Sequence, residues 1–278
     1  MIGVALASSG CKTPPYDWND SVDGLPDLSL IQDFSHPDLR RPHYCDGIFV
    51  FDEQSRLSFF DPVKLEFHDV VDLACPAAGG ALPFSMALSR AGTAWMEYDS
   101  GQLFKVDSET GACTATTFQN TLNGLGTFGM GFAADAPGSA SETLYIAGTD
   151  TGELAEIDQQ TLAITSIGQL PSNDAELTGT GSGELWAFLS GAISHAGKVD
   201  KMTAQVSPNF PLPQLGDTSQ DGFAFGYFGG AFYIFLLPPN GTTNVYEMNA
   251  ANGAVRTLLT NTGRHVVGAG VSTCAPQN

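Results

Sequence analysis

The sequence predicts an all-β chain, a five-bladed β-propeller closed by a C-terminal strand. Three features carry the prediction. An alternating strand ending in Asp or Asn, then a turn and a further strand, recurs along the chain. Aromatic or β-branched runs precede this phrase at nearly regular spacing. A strand of small residues stands ahead of four of those runs, is missing ahead of the first, and turns up at the far end of the chain.

Each element follows from its residues. The phrase reads RLSFFD at 56–61, QLFKVDSETG at 102–111 and ELAEIDQQT at 153–161, with looser copies GKVDKMT at 197–203 and NVYEMNAANG at 244–253. Its Asp or Asn opens a hairpin turn, where the side chain can bond its own backbone and glycine can take positive φ. The preceding runs, GIFVFD, TAWMEY, TLYIAG, ELWAFL and AFYIFL, start at 47, 93, 143, 184 and 231, at intervals of 46, 50, 41 and 47 residues. Four short strands per ~40–45 residues is the period of a radial array of sheets. The small-residue strands are 83–88, 129–134, 177–181 and 222–226, with 265–271 as the displaced fifth. Blades converge on a central channel, so their innermost strands have no room for bulk. The blades are therefore 83–118, 128–170, 175–212 and 221–260, with a closing blade made of 47–73 and 265–273.

A C-terminal strand that completes the first blade closes the ring and removes open sheet edges. It also sorts the cysteines. Beyond Cys11 four remain, Cys45, Cys75, Cys113 and Cys274, and four cysteines allow three pairings. Closure sets Cys274, at the end of the displaced strand, beside Cys45, at the start of its neighbour. Cys75 and Cys113 then link the outer edges of the closing blade and the blade after it. Two disulfides imply an oxidising compartment.

Of 278 residues only 15% are charged, and 11 basic against 30 acidic residues leave a net charge of −19. That charge repels phosphate backbones and argues against nucleic acid as a partner. No apolar run approaches the ~18 residues that a bilayer-spanning helix needs.

The chain begins MIGVALASSG before Cys11. A short apolar stretch ending in small residues before a cysteine resembles the end of a bacterial lipoprotein signal; Ser9 and Gly10 match its box, and Ser8 replaces the usual leucine. The resemblance implies export, a lipid on Cys11, and a location at the bacterial outer membrane, in the periplasm or on the cell surface. On this reading residues 1–11 are a signal remnant, 12–44 a tether punctuated by Pro and Asp, 45–274 the propeller and 275–278 a tail. The phrase G-x-L-x-x-[VI]-D-x-x-T-G, matched best at 101–111 and 152–161, resembles the repeats of exported YVTN and quinoprotein-like propellers. That likeness implies fold and exported address, not activity.

Five-bladed propellers include glycosidases with carboxylates around the channel mouth. Candidates here are Asp135, Asp150, Asp174 and Asp221, at strand ends or in blade-connecting loops. Asp174 and Asp221 both stand just ahead of an inner strand and so face one channel entrance. The commoner role of Asp at such places is to cap loops, as expected also of Asp52 and Asp99. Between Val106 and Gly197 there are eleven acids and no Lys or Arg, a charge that attracts Ca²⁺ or a basic partner, although no D-x-D-x-D-G loop occurs. His36, His43, His68, His195 and His265 lack metal-ligand spacing, and neither G-x-S-x-G nor H-E-x-x-H is present. Trp95 and Trp186 fall in second strands, as core between blades. The expectation is a non-catalytic, lipid-anchored, exported binding or scaffold propeller that recognises a protein or glycan in the cell envelope, with calcium as the one conceivable cofactor. The alternative is a polysaccharide-active glycoside hydrolase using Asp174, Asp221 and Asp135.

Overall fold

The computed structural model describes residues 43–122 and 125–278; Cys11 and most of the expected tether lie outside them. A 3-10 turn at His43–Cys45 leads into β1 (Ile48–Asp52), β2 (Arg56–Asp61) and β3 (Glu66–Asp72). Then come β4 (Pro83–Leu88), β5 (Thr93–Tyr98), β6 (Leu103–Asp107) and β7 (Cys113–Ala115), followed by β8 (Phe128–Ala134), β9 (Glu142–Gly148), β10 (Glu153–Ile157) and β11 (Ile164–Gln169). The third group is β12 (Ala175–Gly179), β13 (Leu185–Leu189), β14 (His195–Val199) and β15 (Val206–Pro211). The last is β16 (Gly222–Phe228), β17 (Ala231–Leu237), β18 (Asn244–Asn249) and β19 (Val255–Leu259), before a final β20 (Val266–Gly270). They form five four-stranded antiparallel sheets, and β20 is the inner strand of the sheet β20-β1-β2-β3. Its register pairs Phe49 with Gly270 and Val50 with Ala269. The molecule is a five-bladed propeller whose first blade is completed by its last strand.

Both faces of a blade are covered by neighbouring blades, which is why β1, β8, β12 and β13 are buried along their whole length. The outermost strands β3 and β15 meet solvent and are mostly exposed or half-buried. Between blades, Trp95 packs edge-on to Phe132 and Phe60 edge-on to Phe235. Trp95 and Trp186 are both core residues.

At the axis the inner strands touch backbone to backbone. A Cβ on Gly129 would run into the Ala175 carbonyl of the next blade, and one on Gly270 would lie 2.7 Å from the Leu88 nitrogen. The glycines are there because no other residue lets the ring close.

The repeated Asp or Asn builds one turn five times. Asp107 Oδ1 accepts the amides of Glu109 (3.1 Å) and Thr110 (2.8 Å), and Asp61, Asp158 and Asp200 repeat the pattern. The amide four residues on returns to the carbonyl of the Asp or Asn in all five copies, at 2.8–2.9 Å. That fifth residue is left-handed in every copy: Gly111 and Gly253, but also Leu65, Leu162 and Ala204. The tertiary frame therefore holds three side-chain-bearing residues where glycine is preferred.

Disulfides join Cys45 to Cys274 and Cys75 to Cys113. The first locks the closing strand to the start of its neighbour. The second ties the segment after β3 to β7.

Candidate functional site

All five inner strands run the same way along the axis, from the end where they begin to the end where β4, β8, β12 and β16 turn into their second strands. At the first end lies a pocket of ≈170 Å³ lined by Pro83 and Phe84 of β4, Gly129 of β8, Ala175 and Glu176 of β12, Gly222 and Phe223 of β16, and Val267 of β20. Thr149, Asp174 and Asp221 complete its wall. Every blade contributes, so this is the mouth of the central channel.

The structure brings Asp174 and Asp221 together in that mouth. Both lie one residue ahead of an inner strand, where the connection from the preceding blade arrives. Burial pushes the Asp174 carboxyl up, against a hydrogen bond from Ser190 that lowers it. Burial pushes Asp221 up as well, helped by the charge of Asp217. Asp135 is not part of this group. It follows β8 at the opposite end of the ring, where its carboxylate accepts the Thr143 hydroxyl at 2.8 Å. Asp150, in the β9–β10 turn, lies at the mouth end against Gly126 and does not line the pocket. Asp52 and Asp99 cap loops: Asp52 Oδ1 accepts the amides of Gln54 and Arg56, and Asp99 Oδ1 that of Leu82.

The floor of the mouth holds a group that sequence reasoning passed over. Glu176 is only 3% exposed, and its Oε2 accepts the Met130 and Leu177 amides, both at 3.3 Å. The carboxyl thus reaches from β12 of one blade to the free edge of β8 in the blade before it. Burial drives its pKa well above the carboxylate range. Glu97 of β5, fully buried, accepts the Phe128 amide at 2.9 Å through Oε2. Its pKa is driven well up by burial, and the charge of Glu176 adds to the rise. Glu97 Oε1 has no hydrogen-bond partner among the described residues, and the Ser85 hydroxyl lies against the Glu176 carboxyl, where it counters part of the burial-driven rise. One signal was available for Glu176: it is the lone charged residue among inner strands otherwise built of small, apolar or hydroxyl residues.

A second, open pocket of ≈710 Å³ adjoins the mouth and shares Gly222 and Val267 with it. Gln220, Asn240, Thr242, Asn261, His265 and Glu53 give it polar walls. His265 Nδ1 lies 2.8 Å from Glu53 Oε2.

At the opposite end of the ring a hydrogen-bonded group ties residues of three blades together. The Arg90 amide donates to Glu142 Oε1 at 2.6 Å, the Arg90 guanidinium donates to the Thr273 hydroxyl and carbonyl, and the Thr273 hydroxyl donates to Glu142 Oε2 at 2.6 Å. The C-terminal residues lie over this end, with the Gly229 amide on the Pro276 carbonyl and the Tyr227 hydroxyl on the Gln277 carbonyl. Among the described residues no three His, Cys, Asp or Glu cluster closely enough to hold a metal ion, and no helix is long and apolar enough to cross a membrane.

No family model matches the chain, and no curated protein matches it. Among solved structures, a chain from the crystal structure of a nidogen/laminin complex aligns with a TM-score of 0.51 at 9% identity, covering 80% of this chain and 96% of that one. A protein of unknown function from Bacteroides caccae aligns at 0.46 and 12% identity over 80% and 97% of the two chains, and YjhT at 0.44 and 11% over 70% and 69%. The first likeness supports the propeller fold and nothing narrower.

Proposed function

We propose that this chain is an exported, non-catalytic recognition propeller that binds a protein or glycan over the face carrying the channel mouth. The observation that carries the reading is the contrast between the two ends of the axis. One end is bridged by the hydrogen-bonded Arg90, Glu142 and Thr273, whereas the other opens into a pocket walled by every blade, with a wider groove beside it. Two disulfides support export, since such bonds persist in oxidising compartments. The described chain enters the propeller at His43, on the face opposite the mouth, because β1 runs antiparallel to β20 and begins where β20 ends.

The test is a thermal-shift scan of the full chain against envelope glycans and basic and neutral peptides. A ligand at 100-fold its Kd adds about 2.7 kcal/mol, a readily resolved shift. A saturable shift supports recognition; no shift with any class counts against binding at the mouth.

A second reading, a glycoside hydrolase, draws on Asp174 and Asp221 sharing one pocket with raised pKa values, as a general acid requires. Release of reducing sugar by the wild type, lost in Asp174→Asn/Asp221→Asn, would establish it. No release across the glycan panel rejects it.

A further inference from the structure

We propose that the open groove beside the mouth is a saccharide subsite, shaped for a short and neutral run of sugar rings. The inference rests on the recognition reading above and chooses between its two ligand classes. The groove is lined by Glu53, Gln220, Asn240, Thr242, Asn261 and His265, over Leu237 and two prolines. It holds no lysine or arginine to meet an anion, and Arg264, next to His265, is turned to Ser58 and Asp69. Its single carboxylate, Glu53, is paired with His265 at 2.8 Å and so is not free to draw a cation. What remains is carboxamide, hydroxyl and imidazole, groups that both donate and accept. The ligand that matches them carries neutral, closely spaced hydroxyl groups.

A peptide finds less here. Protein partners are anchored by aromatic and large apolar side chains, and the groove has no Phe, Tyr or Trp. The exposed large apolar residues Val63, Leu82, Ile193 and Met202 all lie outside it.

The walls are fixed in advance of any ligand. The β17–β18 and β19–β20 loops are joined around the fully buried Thr243. Its amide donates to the Arg264 carbonyl at 2.7 Å, its carbonyl accepts the Thr262 amide at 3.1 Å, and its hydroxyl accepts the Val266 amide at 2.9 Å. The Glu53 amide ties the β1–β2 turn to the His265 carbonyl at 3.0 Å. Asn240 and Asn261, one in each loop, are left-handed at φ 58° and 51°, with exposed side chains. Neither belongs to the repeated turn that accounts for Leu65, Leu162 and Ala204, and left-handed residues outside such turns gather at ligand sites. At ≈710 Å³, against the ~150 Å³ that holds one benzene, the groove has room for about three pyranose rings.

The experiment titrates the full chain by calorimetry with the neutral trimers triacetylchitotriose, cellotriose and mannotriose, the cationic chitotriose, the anionic trigalacturonate, and basic and neutral peptides. At least one neutral trimer should bind saturably, and the charged trimers at least tenfold more weakly than it. Asn240→Gly/Asn261→Gly keeps the left-handed backbone and removes both carboxamides. It should weaken that trimer at least tenfold, and the control Gln119→Gly/Gln160→Gly, exposed and outside the groove, less than twofold. Hydrogen exchange on the wild type adds a readout free of variants, with the trimer slowing amides in 238–243 and 261–265 but not in the turns 158–162 and 200–204. Equal weakening by both pairs, tighter binding of a charged trimer, or protection confined to other segments overturns the inference. If a peptide binds and no saccharide does, the inference fails and the recognition reading stands. If no probe of either class binds, both fail.

Discussion

Replacing Cys45 and Cys274 by serine should cost this protein more stability than replacing Cys75 and Cys113. The first bridge spans 229 residues and the second 38. In the chain-entropy account the penalty grows with the logarithm of loop length, which gives about 5 kcal/mol for the long loop and about 4 kcal/mol for the short one. The native state should survive either change. Without the bridge, β20 keeps its pairing to β1, and Val266, Ala269 and Val271 stay packed with Ile48, Val50, Phe60 and Phe235. A domain of this size is stabilised by only about 5–15 kcal/mol in total, so losing the ring staple removes a large share. With a urea m-value of about 2.5 kcal/mol per molar, the unfolding midpoint should fall by roughly 2 M. Urea unfolding followed by tryptophan fluorescence and far-UV dichroism measures it. A smaller fall for Cys45→Ser/Cys274→Ser than for Cys75→Ser/Cys113→Ser would refute the argument that closure is the dominant constraint.

Further outcomes follow from the axis and the turns. Gly129→Ala drives a methyl into the Ala175 carbonyl and should cost about 3 kcal/mol, lowering Tm by roughly 6–12 °C. Gly79→Ala, where a Cβ meets nothing within 4 Å, should leave Tm unchanged. Glu97 and Glu176 have raised folded-state pKa values, so the native state binds more protons than the unfolded chain. Stability should therefore fall as pH rises above the ordinary glutamate range, by up to about 1.4 kcal/mol per pH unit for each group. Glu97→Gln should flatten that decline in melts from pH 4 to 8; an unchanged slope would mean that Glu97 ionises freely. Asp107 is the opposite case, its pKa lowered chiefly by the Thr110 amide. Its contribution is present above the ordinary aspartate pKa and lost as pH falls through the lowered value, and Asp107→Ala should cost about 1 kcal/mol at neutral pH. Removing 265–278 should leave no cooperative melt, because the closing blade loses its inner strand.

Blade boundaries were legible because steric demand at the axis writes itself as small residues at a fixed interval. The displaced run 265–271 could only be an inner strand without a blade, and Cys274 at its end then had only Cys45 in reach. The mouth was half legible. Asp174 and Asp221 were placed there by position ahead of inner strands, but Asp135 was grouped with them as an acid at a strand end, and chain direction puts it at the other end of the ring. Glu97 was illegible for a different reason. In TAWMEY it alternates with apolar residues as a solvent-facing residue would, yet a propeller blade is covered on both faces, so strand alternation no longer separates inside from outside. Leu65, Leu162 and Ala204 in left-handed turns escaped notice because the repeat, not the residue, dictates their backbone.

The most direct test fills the mouth. Gly222 lines both pockets, and a Cβ there meets only the Leu237 side chain, at 3.4 Å, so Gly222→Phe should block the opening without disturbing the ring. Thermal-shift titration of this variant against every ligand that shifts the wild type should give the wild-type Tm in buffer and no ligand-induced shift. A shift of undiminished size with the mouth filled would contradict binding at the channel entrance.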